Sequence, residues 1–253
     1  NGGFLPTNNL GQIFLKDNNY LLAIILLTPT LNIFLIFNFF NRKKIIYNHQ
    51  EDLFLIIFIL ALTLIMFYTF KNVGIIEILI NIISSISNSG ITFTKSINNT
   101  IVFIFLCAVG GSLISNSSGI KFIRIYILIK TACAEIIRLI RPNNVFNNVI
   151  FYSEKKIDNQ IINLSFLIFI SFFISIFILS SVLVLDNINF ENSFKLSILT
   201  LTNTTNSSLY GLSDINFSNL LYSTKLFLII FMIIGKIELI SIFILLKKFF
   251  IKD

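Results

Sequence analysis

The chain has 253 residues, of which 55% are hydrophobic and 12% charged, with 29 phenylalanines and a formal net charge of +7. Soluble domains carry about 25% charged residues, so the composition excludes an ordinary soluble domain and implies an integral membrane protein. Cys107 and Cys133 sit in apolar or helical surroundings without CxxC or Cys/His spacing, which argues against a disulfide framework or a zinc site and leaves both as packing residues.

The sequence opens with NGGF, residues 1–4, with no Met, basic leader or cleavage site before the first apolar run, and reads as the C-terminal part of a longer protein. Charge-free runs of about 20 residues can cross a hydrocarbon layer of about 30 Å as helices, which satisfy their own backbone there. Such runs cover 20–40, 53–70, 161–185 and 220–246, the last holding Lys236 and Glu238, while a fifth, 101–129, is interrupted. Arg42, Lys43 and Lys44 follow the first run, and His49 beside Glu51 and Asp52 reads as a solvated loop. Segment 73–87 is apolar but too short to span, and it runs into the polar turn SNSGITF, 87–93. Segment 194–204 does the same ahead of TTNSSLYG, 204–211. Both read as re-entrant half-helices, with amphipathic surface helices as the alternative.

The fifth span breaks at AVGGSLISNSSGIKFIR, 108–124. A loop of Gly110, Gly111, Ser112, Ser115, Asn116, Ser117, Ser118 and Gly119 cannot face lipid, where each unsatisfied backbone group costs several kcal/mol. It is expected to line a pore or a water-filled cavity. The basic stretch 130–141 follows as a cytoplasmic helix with Glu135 and Arg138 one turn apart. Lys236, a charge in mid-span, is a functional candidate that points to the cavity near the loop or snorkels to the inner face. Glu238, two positions on, lies on another helix face and pairs elsewhere.

Thirteen of the 19 basic residues fall after the first span, between the broken span and the next, and after the last, which makes that side cytoplasmic. The positive charge is thereby explained by topology, and a nucleic-acid role is not needed. A unit recurs along the chain: long span, half-helix, polar turn, long span. Half-helices returning through Gly/Ser/Thr/Asn turns gather carbonyls and the negative ends of helix dipoles around an axis, where they replace the water shell of a monovalent cation. Gly3 and Gly90 supply the positive φ such turns need, which costs other residues about 1 kcal/mol or more.

These residues resemble the Trk/Ktr/HKT superfamily of potassium transporters, with the bacterial Trk-type membrane subunit as the nearest pattern. The matching stretches are GGSLISNSSGIKFIRIYILIKTACAEIIRLIRPNNVF, 110–146, and LTNTTNSSLYGLSDINFSNLLYSTKLFLIIFMIIGKIE, 201–238, together with NGGF and SNSGITF. The resemblance implies an all-α polytopic membrane protein whose tandem repeats, each a span, a pore half-helix, a filter turn and a span, surround a pseudo-fourfold pore. Residues 1–50 would hold the second filter and the end of repeat 2, 51–150 repeat 3, and 151–253 repeat 4, with the first filter missing. The implied function is potassium transport across a bacterial inner membrane, with the C-terminus cytoplasmic. The ion would bind the backbone carbonyls of Gly2, Gly3, Asn88, Ser89, Gly90, Thr205, Asn206 and Ser207. The implied gate is a movable constriction of Gly110, Gly111, Ser115, Asn116, Ser117, Ser118 and Gly119 with Lys236, although a static loop fits the residues as well. No cofactor is implied; a homodimer and a separate cytoplasmic nucleotide-binding regulatory subunit are.

This sequence departs from the family pattern in three places: Ser207 for a filter glycine, Ile114, Ser117 and Ser118 for loop glycines, and Lys236 for an arginine. They keep open a sodium-permeable protein, or a non-conducting relative with a structural or regulatory role. An enzyme is poorly supported: the sequence has no HExxH, no Ser/His pair and no acidic pair within one span.

Overall fold

The computed structural model describes residues 19–40, 50–70, 73–91, 100–141, 149, 157–204, 210–212, 217 and 220–237. Gly2, Gly3, His49, Thr205, Asn206, Ser207, Glu238 and the turn at 1–4 lie outside the described residues. Within them the chain is all-α: α1 Asn19–Leu27, α2 Ile33–Phe40, α3 Gln50–Thr69, α4 Ile75–Ile86, α5 Thr100–Val109, α6 Phe122–Ile140, α7 Asn159–Leu185, α8 Phe190–Leu201 and α9 Tyr222–Ile237.

Among the described residues two helices, α3 and α7, are long and apolar enough to cross a membrane. Their residue pattern explains how they sit. In α7, Ser165, Ile168, Ser171, Phe172, Ser175, Ile176, Leu179, Ser180 and Leu183 form one buried stripe, while Phe166, Leu167, Ile170, Phe173, Ile174, Phe177 and Ile178 stand exposed on the other faces. Small residues on the inner stripe allow close helix approach, and their hydroxyls return to the helix's own carbonyls, as Ser175 does to Ser171 O at 2.9 Å. Exposed apolar side chains in this density have no place in water and form the lipid-facing surface. In α3 the buried line is Asp52, Leu55, Ile59, Thr63 and Met66.

The short helices behave differently. The second half of α4 and its tip, residues 81–88, is buried on every face, as are Leu196–Leu201 of α8. Short helices buried at their C-terminal halves are the half-helices expected from the sequence, inserted among their neighbours: α3 packs on α4, α4 on α5, α7 on α8, α8 on α9, and α5 bridges to α8.

Three expectations need correction. The run 20–40 is not one helix, because Pro29 cannot donate a backbone hydrogen bond and its ring displaces the preceding turn. The chain therefore passes through a 3-10 turn, Thr28–Thr30, and restarts at α2, whose first turn Asn32 caps by accepting the Phe34 N–H at 3.0 Å. The lower half of the broken span and the basic helix are also a single element, α6, in which Arg138 and Glu135 approach to 3.8 Å. Finally, Cys133, expected as a packing residue, is exposed, whereas Cys107 is buried.

Candidate functional site

The half-helices α4 and α8 end in the same way. After α4, Ser87 N–H donates to Ile83 O at 2.8 Å, Asn88 N–H to Ser85 O at 3.2 Å and Ser89 N–H to Ser84 O at 3.1 Å. After α8, Thr202 N–H donates to Ile198 O at 3.0 Å, Asn203 N–H to Thr200 O at 3.1 Å and Thr204 N–H to Leu199 O at 2.8 Å. Asn88 and Asn203 both take left-handed backbone, φ 55° and 59°, a conformation asparagine tolerates better than other residues with a Cβ. Each helix C-terminus, with its unsatisfied carbonyls and negative dipole end, therefore stops at a buried polar tip.

The first tip returns through Gly90, at φ 69°, and is closed by Ser84. Its hydroxyl donates to Ile91 O at 2.5 Å and accepts the Ile91 N–H at 3.0 Å, joining the incoming and outgoing arms. A Ser84→Ala protein should lose about 1–3 kcal/mol, the cost of leaving those two groups unpaired, read as a lower thermal midpoint in detergent. The amides of the two tips differ. Asn203 Nδ2 donates to Met232 O of α9 at 3.1 Å, whereas the Asn88 side chain is buried with neither polar atom partnered among the described residues.

The loop between α5 and α6 is held from every side. Ile120 N–H donates to Ala108 O at 2.9 Å and Phe122 N–H to Gly111 O at 3.0 Å, which folds the loop back on its own stem. Ser117 Oγ accepts the Gly111 N–H at 2.8 Å and meets Ser115 Oγ at 2.8 Å. The Lys121 ammonium donates to Ser115 O at 3.1 Å and Ser117 O at 2.5 Å, while Lys121 itself carries φ 81° at the start of α6. Gly110 and Gly119 close the stem, and the buried hydroxyls of Ser112 and Ser118 have no partner among the described residues.

Outside the loop, the break at Thr28–Thr30 is what receives it. Ser112 N–H donates to Thr30 O at 2.9 Å, and Ile114 O accepts the Ile33 N–H at 3.0 Å. A Cβ on Gly111 would fall 2.5 Å from Thr30 O, so this contact requires glycine. Glu51 and Asp52, expected in a solvated loop, form the first turn of α3. Glu51 Oε1 accepts the Leu113 N–H at 2.7 Å, and Asp52 Oδ1, on a buried side chain, accepts the Asn32 N–H at 2.9 Å. From α9, Lys236 Nζ donates to Asn116 O at 2.9 Å. Lys236, expected to point to the cavity near the loop or to snorkel, thus bonds to the loop's own backbone. Thr30, Glu51 and Lys121 are partners that the sequence reading missed; Pro29 followed by Asn32, a helix breaker and a cap, was the available signal.

This all-α arrangement of long apolar helices, half-helices with buried polar tips and a loop between α5 and α6 has the fold of a Trk-type transporter. The chain is similar to the potassium transporter TrkH from Vibrio parahaemolyticus, whose crystal structure superposes with a TM-score of 0.79 at 19% identity over 97% of this chain and 55% of that one. The chain spans about half the length of that transporter. No family model matches the sequence, and no curated protein matches it.

Proposed function

We propose that this chain forms part of a potassium-conducting subunit in the inner membrane of a bacterium, with the C-terminus cytoplasmic and the ion passing the carbonyls of the hairpin tips. The observation that carries the reading is the identical backbone of the two half-helix ends, with Asn88 and Asn203 in the same left-handed conformation. Two copies of one half-helix end support a repeat: 51–150 as repeat 3, 151–253 as repeat 4, and 1–50 as the second filter with the end of repeat 2, around a pseudo-fourfold axis. The filter ligands are the carbonyls of Gly2, Gly3, Asn88, Ser89 and Gly90 and those of the fourth tip at Thr205, Asn206 and Ser207. The buried amide at Asn88, without a partner among the described residues, supports a polar path beside the first described tip.

The loop at 110–119 is the gate of this reading, latched by Lys236. A second reading, permeability to sodium, is supported by Ser207 standing where the family pattern has a filter glycine. The protein pairs with a second copy and with a nucleotide-binding regulator; the exposed Leu139 and Ile140 at the end of α6, 85% and 71% accessible, support a docking surface there.

Reconstitution of the intact protein into proteoliposomes tests the function. An inside-negative potential should drive potassium uptake, and Gly90→Ala, which forces a Cβ into φ 69°, should reduce it about fivefold or more, given about 1 kcal/mol or more of backbone strain at the filter. A folded wild-type protein that passes no monovalent cation refutes conduction; equal sodium and potassium fluxes would establish the second reading.

A further inference from the structure

Among the largest fully buried side chains, Tyr210 is the one that bears a hydroxyl; the others are Phe, Leu or Ile. It lies six residues beyond Thr204, on the outgoing side of the second tip. Its hydroxyl accepts a hydrogen bond from the Cys107 thiol of α5 at 3.0 Å and donates to Ser85 Oγ of α4 at 3.4 Å. Ser85 Oγ in turn donates to Asn81 O at 2.8 Å. Cys107, Tyr210, Ser85 and Asn81 are all fully buried. The donors thus run one way, from a thiol through a phenol and a serine to a carbonyl of α4.

This chain touches both hairpins. The Ser85 carbonyl accepts the Asn88 N–H at 3.2 Å, so the polar line passes one turn behind the left-handed residue of the first tip. On the other side, the buried Thr204, part of the second tip and six residues before Tyr210, shares a hydrogen bond with Thr202 at 2.9 Å. A tyrosine placed here only to fill space would be better replaced by phenylalanine, because a buried hydroxyl without partners costs free energy. Tyr210 instead finds a donor on one helix and an acceptor on another, and connected networks of this kind rigidify their surroundings.

We propose that Tyr210 is a positioning residue for ion selectivity: its hydroxyl, held between Cys107 and Ser85, fixes the separation of the two hairpin tips and so the size of cation that their carbonyls fit. The proposal rests on the conduction reading above. Tyr210 does not touch the ion. It acts by preventing the carbonyl cage from closing around a smaller cation, on the view that the fit of the cage contributes to discrimination.

The test compares potassium and sodium flux in proteoliposomes of the intact wild-type protein and of Tyr210→Phe, which keeps the ring and removes the oxygen. The potassium-to-sodium flux ratio should fall about fivefold, the factor that corresponds to one net hydrogen bond, while the summed flux stays near wild type. Ser85→Ala, which removes the acceptor, should lower the ratio in the same direction. Cys107→Ser, which keeps a donor to Tyr210, should preserve it. Should Tyr210→Phe fail to fold, Ser85→Ala carries the test alone. An unchanged ratio in the folded variants overturns the proposal and leaves conduction intact. A wild-type protein that passes no cation refutes conduction itself, and the proposal with it.

Discussion

Gly235→Ala is expected to abolish the native packing of α9 on α8. A Cβ at this position would fall 1.9 Å from the Leu201 carbonyl oxygen, 2.7 Å from its carbonyl carbon and 3.0 Å from its Cα. The obstacle is backbone at the end of a buried half-helix, so no side chain can rotate away to relieve it. The two elements would have to separate by an ångström or more, and the Asn203 amide would lose its 3.1 Å bond to Met232 O. Overpacking costs about 1–3 kcal/mol where neighbours can shift, occasionally more, and here the neighbour is main chain beside the second tip. The variant should show about 3 kcal/mol or more of destabilisation, visible as a large fall in thermal midpoint or in monodisperse yield from detergent. Gly74→Ala is the control. Its Cβ would meet only Glu77 side-chain atoms, the nearest at 3.7 Å, so it should melt within a few degrees of wild type. Equal melting of the two variants would refute the close approach of α9 to α8.

Apolar run length found α3 and α7 to within a few residues, because a helix that faces lipid on most sides must be apolar on most sides. It found the half-helices as well, since α4 and α8 are too short to span and end in Ser, Thr, Asn and Gly. The same measure overlooked the break between α1 and α2. Thr28, Pro29 and Thr30 carry no charge, and a count of charges passes over them, although a proline in mid-helix with a capping asparagine three residues later is a stop and a restart. It also divided α6 at Lys130, where the chain becomes basic. A helix need not end where lipid does, and the stretch from Thr131 to Ile140 contains good helix formers.

The site was legible in its backbone and illegible in its contacts. Ser, Asn and Gly after an apolar segment announce a hairpin tip by their own conformational preferences. Nothing local announces that Glu51 will hold the Leu113 N–H across 62 positions of sequence, or that Tyr210 will stand between Cys107 and Ser85. Charged residues next to a histidine usually belong to solvent, and a lone tyrosine in a turn has no periodicity to betray its burial. These pairings come from packing α3, α4, α5 and the second tip around one another, which single-chain patterns do not encode.

On the proposed conduction, Lys236→Met should raise potassium flux through the reconstituted protein about fivefold. Three consecutive loop carbonyls are held by lysine ammonium groups: Ser115 O and Ser117 O by Lys121, and Asn116 O by Lys236 at 2.9 Å. Lys121 belongs to the loop's own stem and moves with it. Lys236 belongs to α9, so its bond ties the loop to a separate helix. A hydrogen bond from a charged donor contributes about 1.5–3 kcal/mol when shielded; this one is exposed, and screening brings it to about 1 kcal/mol, which is the factor of five in the released population. The contact is mainly with backbone, Asn116 Oδ1 being farther at 3.4 Å, so Asn116→Ala should change flux little. Lys236→Arg should keep the wild-type rate, because it retains a charged donor on α9. Lys236→Gln separates bond from charge: a rate near wild type assigns the latch to the hydrogen bond, and a rate near that of Lys236→Met assigns it to the positive charge below the tips. A Lys236→Met protein that conducts no faster than wild type would show that α9 does not restrain the loop, and the gate would then have to be sought at the Glu51 and Thr30 contacts.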